Sequence, residues 1–328
     1  NCIGVNTLGF YKGTMAPLQR SNYFSEKDGI YLLKNKYTHK IRIKMLGHFW
    51  DSTEKIHQEF AQMVSKEAPF EFVEKGPVDY YIVINKPHDG DDSYDPAKTL
   101  VFTMEPEAKC SEHGTHSWGK WGAPDPKEFF YVHDRSKLNL VQWRFKQPVK
   151  NLTLPMDHSR RKNRVASILS WKNYFPGHRH RIEFAKLLDQ EGLLDVFGAE
   201  NFHQLEGYQG TVNDEDPSQV LCQYQYYFMT ENNEEKNYAT EKIWEPILCE
   251  TLCFYWGCPN LSEYISEEAF VRLDMKDMVG SIQIIRTAIE ENWWEKRLPM
   301  MKKMKSKILN ELSFEKTISE VLCPVSQH

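Results

Sequence analysis

The stretch Tyr224-Gln-Tyr-Tyr-Phe-Met-Thr230-Glu231-Asn232-Asn233, continued by Glu-Glu-Lys-Asn-Tyr238-Ala-Thr240-Glu241-Lys242-Ile-Trp-Glu245, decides how the rest of the chain is read. Tyr224 to Thr230 is aromatic and apolar with no helical stripe, the pattern of a strand emerging from a core. The polar run from Glu231 to Asn237 predicts a loop. From Thr240 onward Ile243, Ile247 and Leu248 fall on one helical face, with Thr240 in the N-cap position. Lys242 then lies in the first turn of a helix. A helix start offers free backbone N–H groups and a partial positive charge, which suits a phosphate. A lysine there opposes the macrodipole unless an anion sits between the two. An ordinary surface turn before a helix has the same spacing, so the pattern alone leaves both readings open.

Working outward, the 328 residues suit about two domains of ~150 residues. Nine Trp, 16 Tyr and 18 Phe supply the apolar bulk for a sizeable core. A net charge of −5 argues against nucleic acid as the main partner. The basic runs Arg160 to Arg164 and Lys302 to Lys307 read as solvated faces. No apolar run of about eighteen residues occurs, so no membrane-spanning helix is predicted. The first residue is Asn1 rather than Met, which leaves open that the chain is part of a larger polypeptide. Seven cysteines without paired spacing favour reduced thiols, and Cys249, Cys253 and Cys258 read as buried small residues rather than zinc ligands.

In chain order, residues 1–38 read as an irregular lead-in. His39 to Trp50 alternates apolar and basic residues and predicts a first strand. Asp51 and Glu54 form a capping-box pattern ahead of Ile56, Phe60, Met63 and Val64 on one helical face. Phe70 to Val73, the near-continuous apolar run Val78 to Ile84, and Thr99 to Met104 predict further strands, the second suited to a central parallel position. This is a Rossmann-like half. Two later strands are expected at Glu128 to His133 and Leu138 to Phe145. Open α/β sheets bind ligands at the carboxyl ends of their strands, so Glu105, just after a strand, is well placed, with Glu107 as its competitor. The loop beyond carries His113, His116, Trp118 and Trp121, suited to stacking on a sugar or to plugging the fold. The Asp89-Gly-Asp91-Asp92 cluster reads as a solvated turn. Residues 146–163 read as a linker. A helix is predicted to open at His178-Arg179-His180-Arg181, and later helices after Asp274, with a break at Pro299.

The residues of the opening stretch resemble the signature of the family 10 glycosyltransferases, the α-1,3/1,4-fucosyltransferases. That signature runs Phe-Glu-Asn-Ser/Thr, a short loop, then Tyr-Val-Thr-Glu-Lys. Glu231-Asn232 stands ten residues before Glu241-Lys242, and Tyr238, Thr240, Glu241 and Lys242 match. Ala239 replaces Val, and Thr230 stands where the family usually has Phe. Phe254-Tyr-Trp-Gly-Cys-Pro259 and Ala269-Phe-Val are similar to the family's next segment, Arg181-Ile-Glu-Phe184 to its arginine segment, and Met104-Glu105-Pro106 to its catalytic-glutamate context.

The resemblance covers roughly residues 39–300 and is strongest over 181–271. It implies an α/β fold of GT-B type, with two Rossmann-like domains facing a central cleft. The divisions are a lead-in (1–38), an acceptor-side domain (39–155), a nucleotide-sugar-binding domain (156–300) and a helical tail (301–328). It further implies inverting transfer of L-fucose from GDP-β-L-fucose to a glycan hydroxyl. Glu105 and Glu241 would be catalytic, and Arg181, Asn232, Tyr238, Lys242, Arg179 and Glu231 would bind the donor. Trp118, Trp121 and His116 would face the acceptor. No cofactor or metal is required on this reading, because Arg181 and Lys242 supply the charge that a leaving pyrophosphate needs. A GT-B transferase for another nucleotide sugar and a non-catalytic carbohydrate- or nucleotide-binding module are the alternatives. A cytoplasmic enzyme is expected, the alternative being a Golgi-lumenal domain cut from a membrane anchor.

Overall fold

Apolar runs buried on both faces fold here as parallel strands, which need helical crossovers to return the chain. The computed structural model describes residues 26–27, 30–31, 39–107, 114–212 and 216–324. Most of the lead-in expected over 1–38, together with His113, lies outside the described residues. Two short strands, β1 (Glu26–Lys27) and β2 (Ile30–Tyr31), pair antiparallel.

The first large sheet contains β3 (Ile41–Gly47), β4 (Phe70–Phe72), β5 (Tyr80–Ile84), β6 (Thr99–Phe102) and β7 (Tyr131–Val132), in the order β4-β3-β5-β6-β7 and parallel throughout. The apolar run takes the central position as β5, with Ile82, Val83 and Ile84 fully buried. Helix α1 (Thr53–Ala61) covers this sheet with Ile56 and Phe60.

The second sheet contains β8 (Lys162–Ile168), β9 (Leu194–Phe197), β10 (Tyr208–Gly210), β11 (Tyr224–Thr230), β12 (Leu252–Trp256) and β13 (Phe270–Arg272), in the order β10-β9-β8-β11-β12-β13, again parallel. The strand order reverses between β8 and β11, the topological switch point where such sheets open a crevice. Helix α2 (Val149–Leu152) comes before this sheet, its Val149 N–H donating to the Gln62 carbonyl just after α1, and the sheet's own helices are α3 (Pro176–Gln190), α4 (Ser218–Leu221), α5 (Glu241–Leu248), α6 (Met278–Glu290) and α7 (Trp293–Lys307). The last helix, α8 (Phe314–Leu322), packs on the first sheet instead. The Phe314 ring lies 5.0 Å from Phe60 and 6.2 Å from Phe72, and Glu315 accepts hydrogen bonds from the Ser65 backbone and hydroxyl.

Several local expectations are corrected. Leu138 to Phe145 is not a strand of the sheet. Leu140, Val141, Trp143 and Phe145 are buried, but the segment makes one isolated bridge, Val141 with Ser313. Helix α1 is capped by Ser52, whose hydroxyl accepts from the Lys55 N–H, while Asp51 pairs with the Lys55 side chain. Pro299 lies inside α7, and the break comes earlier, at Asn292. That residue adopts a left-handed φ of 51° and caps α7 through the Glu295 N–H. The two basic runs are not uniformly solvated. Arg161 is buried and donates to the Tyr224 carbonyl and the Thr251 hydroxyl, both at 2.8 Å. Lys305 is buried against Glu250 at 2.9 Å. One residue of each run faces inward because a strand end or a buried carboxylate needs a donor there.

Candidate active site

Strand β11 ends at Thr230, beside the switch point of the second sheet. The next residue, Glu231, is fully buried. Its carboxylate accepts from the Thr240 N–H at 2.8 Å, the Thr240 hydroxyl at 2.7 Å and the Tyr255 hydroxyl at 3.2 Å. Glu231 therefore clasps the two ends of the signature loop. Thr240 does occupy the N-cap of α5, but its side chain makes no cap bond because its hydroxyl is turned to Glu231.

Two glycines admit this packing. A Cβ on Gly177 would sit 1.8 Å from the Glu231 carbonyl, and Gly257, at φ 157°, faces the Glu231 side chain too closely for any side chain of its own.

Asn232 is the hub of the site. Its side-chain carbonyl meets His178 Nε2 at 3.0 Å, and its Nδ2 donates to Glu105 Oε2 at 3.2 Å. His178 Nδ1 accepts from the Phe175 N–H at 3.4 Å, so Nε2 is the ring nitrogen left to carry the proton toward Asn232. Burial, reinforced by Arg181, lowers the His178 pKa to about 3, so the ring stays neutral. Glu105 follows β6 of the first sheet, so this one hydrogen bond joins the carboxyl ends of both sheets.

The charges around Asn232 are strongly perturbed. Burial raises the Glu105 pKa, with Glu241 reinforcing and Lys242 opposing. Burial also pushes Glu241 upward, but Lys242 and Arg144 outweigh it and hold the carboxyl at about 2. Lys242 Nζ donates to Glu241 at 2.8 Å and lies 3.7 Å from Glu231. Burial lowers its pKa, and these two carboxylates more than reverse that. Tyr238 is buried, and burial together with the neighbouring Glu105 raises its pKa well above the ordinary value.

Of the residues expected in the site, Glu105, Asn232, Tyr238, Glu241 and Lys242 come together. Arg181 lies behind them, buried, with Nε donating to the Thr230 hydroxyl at 3.2 Å and Nη2 to the Thr230 carbonyl. Thr230 also donates to the Gly177 carbonyl at 2.7 Å, so the residue that departs from the family pattern is itself a hydrogen-bonded partner of the arginine. Arg179 is exposed and turned back onto the Asn173 and Tyr174 carbonyls. Glu107 is exposed on the same loop as Glu105.

The three residues assigned to the acceptor do not form one surface. Trp121 is buried between Tyr94 and Phe129, Trp118 is half-buried edge-on to His48, and His116 is exposed. Sequence reasoning did not assign His178 or Arg144 to the site. Arg144 reaches it from outside the signature, paired with the buried Glu245, and nothing in its local sequence marks it. His178 stands in the first turn of α3 three residues before Arg181, a position from which a ring can face the same strand end. Among the described residues no group of three His, Cys, Asp or Glu is arranged to hold a metal ion, and no helix is long and apolar enough to cross a membrane.

Residues 158–308 match the model of glycosyltransferase family 10 (fucosyltransferase), C-terminal part. The resemblance read from the motifs thus holds over that segment. No curated protein matches the chain by sequence. Among solved structures, an α1,3-fucosyltransferase is similar at 17% identity and a TM-score of 0.52, over 87% of this chain and 93% of its own. An α1,3-fucosyltransferase with GDP is similar at 16% identity and 0.52, over 87% and 95%. An α-glucosyltransferase in complex with UDP and a mismatched 13-mer DNA is similar at 10% identity and 0.56, over 86% and 99%. These likenesses establish the fold, an α/β architecture of GT-B type.

Proposed function

We propose that the chain transfers L-fucose from GDP-β-L-fucose to a hydroxyl of a glycan acceptor, with inversion to an α-fucoside. Residues 39–155 form the acceptor side in this reading, 156–300 the nucleotide-sugar side, and 301–328 the tail. The observation that carries it is the Asn232–Glu105 bond. A carboxylate from one sheet stands at the signature loop of the other, where a donor and an acceptor would meet.

Inverting transfer needs a base for the acceptor proton as the hydroxyl attacks. Glu105 takes that role. Burial makes it a stronger base than an ordinary glutamate, and among the described residues Asn232 is the one donor to its side chain, through Oε2, which leaves Oε1 for the incoming hydroxyl. The leaving GDP gains charge on its pyrophosphate. Lys242, Arg181 and the N–H groups at the start of α5 supply the compensating charge, so turnover is expected to persist in EDTA. Binding draws Lys242 away from its present carboxylate partners toward the phosphates. Glu241, ionised at neutral pH, is then free to stabilise positive charge developing on the fucose ring.

The donor assignment draws on the family match over 158–308 and on a fucosyltransferase of similar fold that was solved with GDP. The UDP complex of the similar α-glucosyltransferase keeps a second reading, the same fold with another nucleotide sugar. Calorimetric titration with GDP-fucose, GDP-mannose and UDP-galactose in EDTA separates them. Binding of GDP-fucose alone, abolished in Lys242→Ala, is expected. Preference for another nucleotide sugar would overturn the named donor, and no binding at all would favour a non-catalytic module.

A further inference from the structure

A polar cavity of about 350 Å³ opens where the two sheets meet, beside the residues of the candidate site. Glu107, Arg135 and Asn139 wall it from the first half of the chain, and Glu235, Lys236 and Tyr238 from the signature loop. Its volume is at the lower end of the range for small-molecule sites.

Arg135 and Asn139, which wall this cavity, each carry a buried side-chain donor without a hydrogen-bond partner, Arg135 Nη2 and Asn139 Nδ2. Orphaned buried donors are uncommon in native proteins and costly, so two of them on residues that wall the same cavity indicate acceptors that a ligand would bring. The walls that hold them are braced. Arg135 Nη1 donates to the Glu105 carbonyl at 3.3 Å, the Arg135 carbonyl accepts from Asn237 Nδ2 at 3.1 Å, and the Asn139 N–H donates to the Asn237 carbonyl at 2.9 Å. The Glu107 N–H donates to Glu235 Oε2 at 3.0 Å, closing the wall between the sheets.

We propose that this cavity is the acceptor subsite and that it takes one neutral sugar unit, with Arg135 and Asn139 donating to its hydroxyl oxygens. This rests on the glycosyltransferase reading above and names the acceptor's place in it. The charge balance selects the ligand. Arg135 and Lys236 are offset by Glu107 and Glu235, so an anionic sugar would meet two carboxylates. A hydroxyl can accept from the orphan donors and donate to those same carboxylates. The Arg135–Glu105 bond makes the cavity wall continuous with the proposed base. The assignment moves the acceptor away from Trp118, Trp121 and His116, of which Trp121 is packed in the core.

The test is ligand-observed NMR on the full chain with the methyl glycosides of galactose, glucose, N-acetylglucosamine and glucuronic acid, in the presence of GDP. It compares the unmodified protein with Asn139→Leu and Arg135→Lys. Leucine fills the space of Asn139 and removes only its amide, leaving the backbone bond to Asn237, and thermal melts check that both variants are folded. Binding of at least one neutral glycoside, weakened about tenfold in each folded variant, is expected for the loss of one buried hydrogen bond. Unchanged affinity in folded Asn139→Leu, preference for the glucuronide, or binding of none of the four would overturn the proposal. Titration of the same samples with GDP-fucose keeps the outcomes apart, since failure there in the unmodified protein sinks the donor reading instead.

Discussion

The carboxyl ends of the two sheets are finished in opposite ways. Beyond β11 the buried charged groups at the strand end are held by the protein itself. Glu231 clasps Thr240 and Tyr255, Arg181 is bound to Thr230, and Gly177 and Gly257 let the backbone close around them. Beyond β6 the chain offers a carboxylate that, among the described residues, has one donor, and next to it a cavity walled by two residues with unpartnered donors. Two glutamates on either side of Asn232, Glu231 buried and Glu105 half-buried, carry the contrast. Burial raises the pKa of both, but Glu231 is surrounded by donors of the protein while Glu105, half-buried, is held through Oε2 by Asn232. A rigid end suits a ligand that is always the same, and an unfinished end suits one that must arrive and leave. The segment matched by the family model, 158–308, contains the first end and not the second.

Exchanging the two glutamates tests this contrast most severely. Glu105→Gln is expected to lower kcat/KM about a thousandfold, within the usual range for a lost general base, while calorimetry finds GDP-fucose binding retained. The same change should raise Tm. Because the folded pKa of Glu105 lies above the unfolded one, the fold holds that proton more tightly than the unfolded chain does. Stability is then fully present at low pH and falls as pH rises through the folded pKa, and a neutral amide removes that penalty.

Glu231→Leu should do the reverse. It strands the Thr240 N–H and hydroxyl and the Tyr255 hydroxyl, and should cost about 3 kcal/mol of stability in denaturant unfolding. If Glu231→Leu melts like the parent, the clasp is not what fixes the loop.

His178→Phe probes the bond that joins the two ends. Without the Nε2 proton, the Asn232 amide is free to turn its carbonyl toward Glu105. The expected result is about tenfold lower kcat, with the acidic limb of the pH profile moved upward. A fall in kcat with an unmoved limb would reduce His178 to packing. The smallest effect is expected for Arg179→Ala, within about twofold in donor affinity, since that guanidinium is exposed and bonded to nearby carbonyls. A large loss there would mean that the donor site extends over the outer face of α3.

The rigid end was the legible one. Tyr224 to Lys242 announces strand, loop and helix start because apolar runs and caps are local, and its spacing carries the family signature. Glu105 was legible as a residue after a strand, since strand ends are local too. Other features depend on contacts between distant residues. Thr240 reads as a cap, yet its hydroxyl belongs to Glu231. Leu138 to Phe145 alternates like a strand, yet lies outside the sheet with one bridge, to a residue near the far end of the chain. Arg135, Arg144 and Asn139 look like ordinary loop residues, and what distinguishes them is the face that the other half of the molecule presents. By composition Trp118 and Trp121 suit sugar stacking, and packing puts Trp121 in the core.

The most direct measurement is kcat/KM for GDP-fucose from about pH 4 to 9, in EDTA, for the parent chain and Glu105→Gln. The parent should lose activity toward low pH along a limb whose midpoint lies above 4.5, the ordinary value for a glutamate. The residual activity of Glu105→Gln should lack that limb. The same limb in both proteins, or full activity in Glu105→Gln, would contradict the assignment of Glu105 as the base.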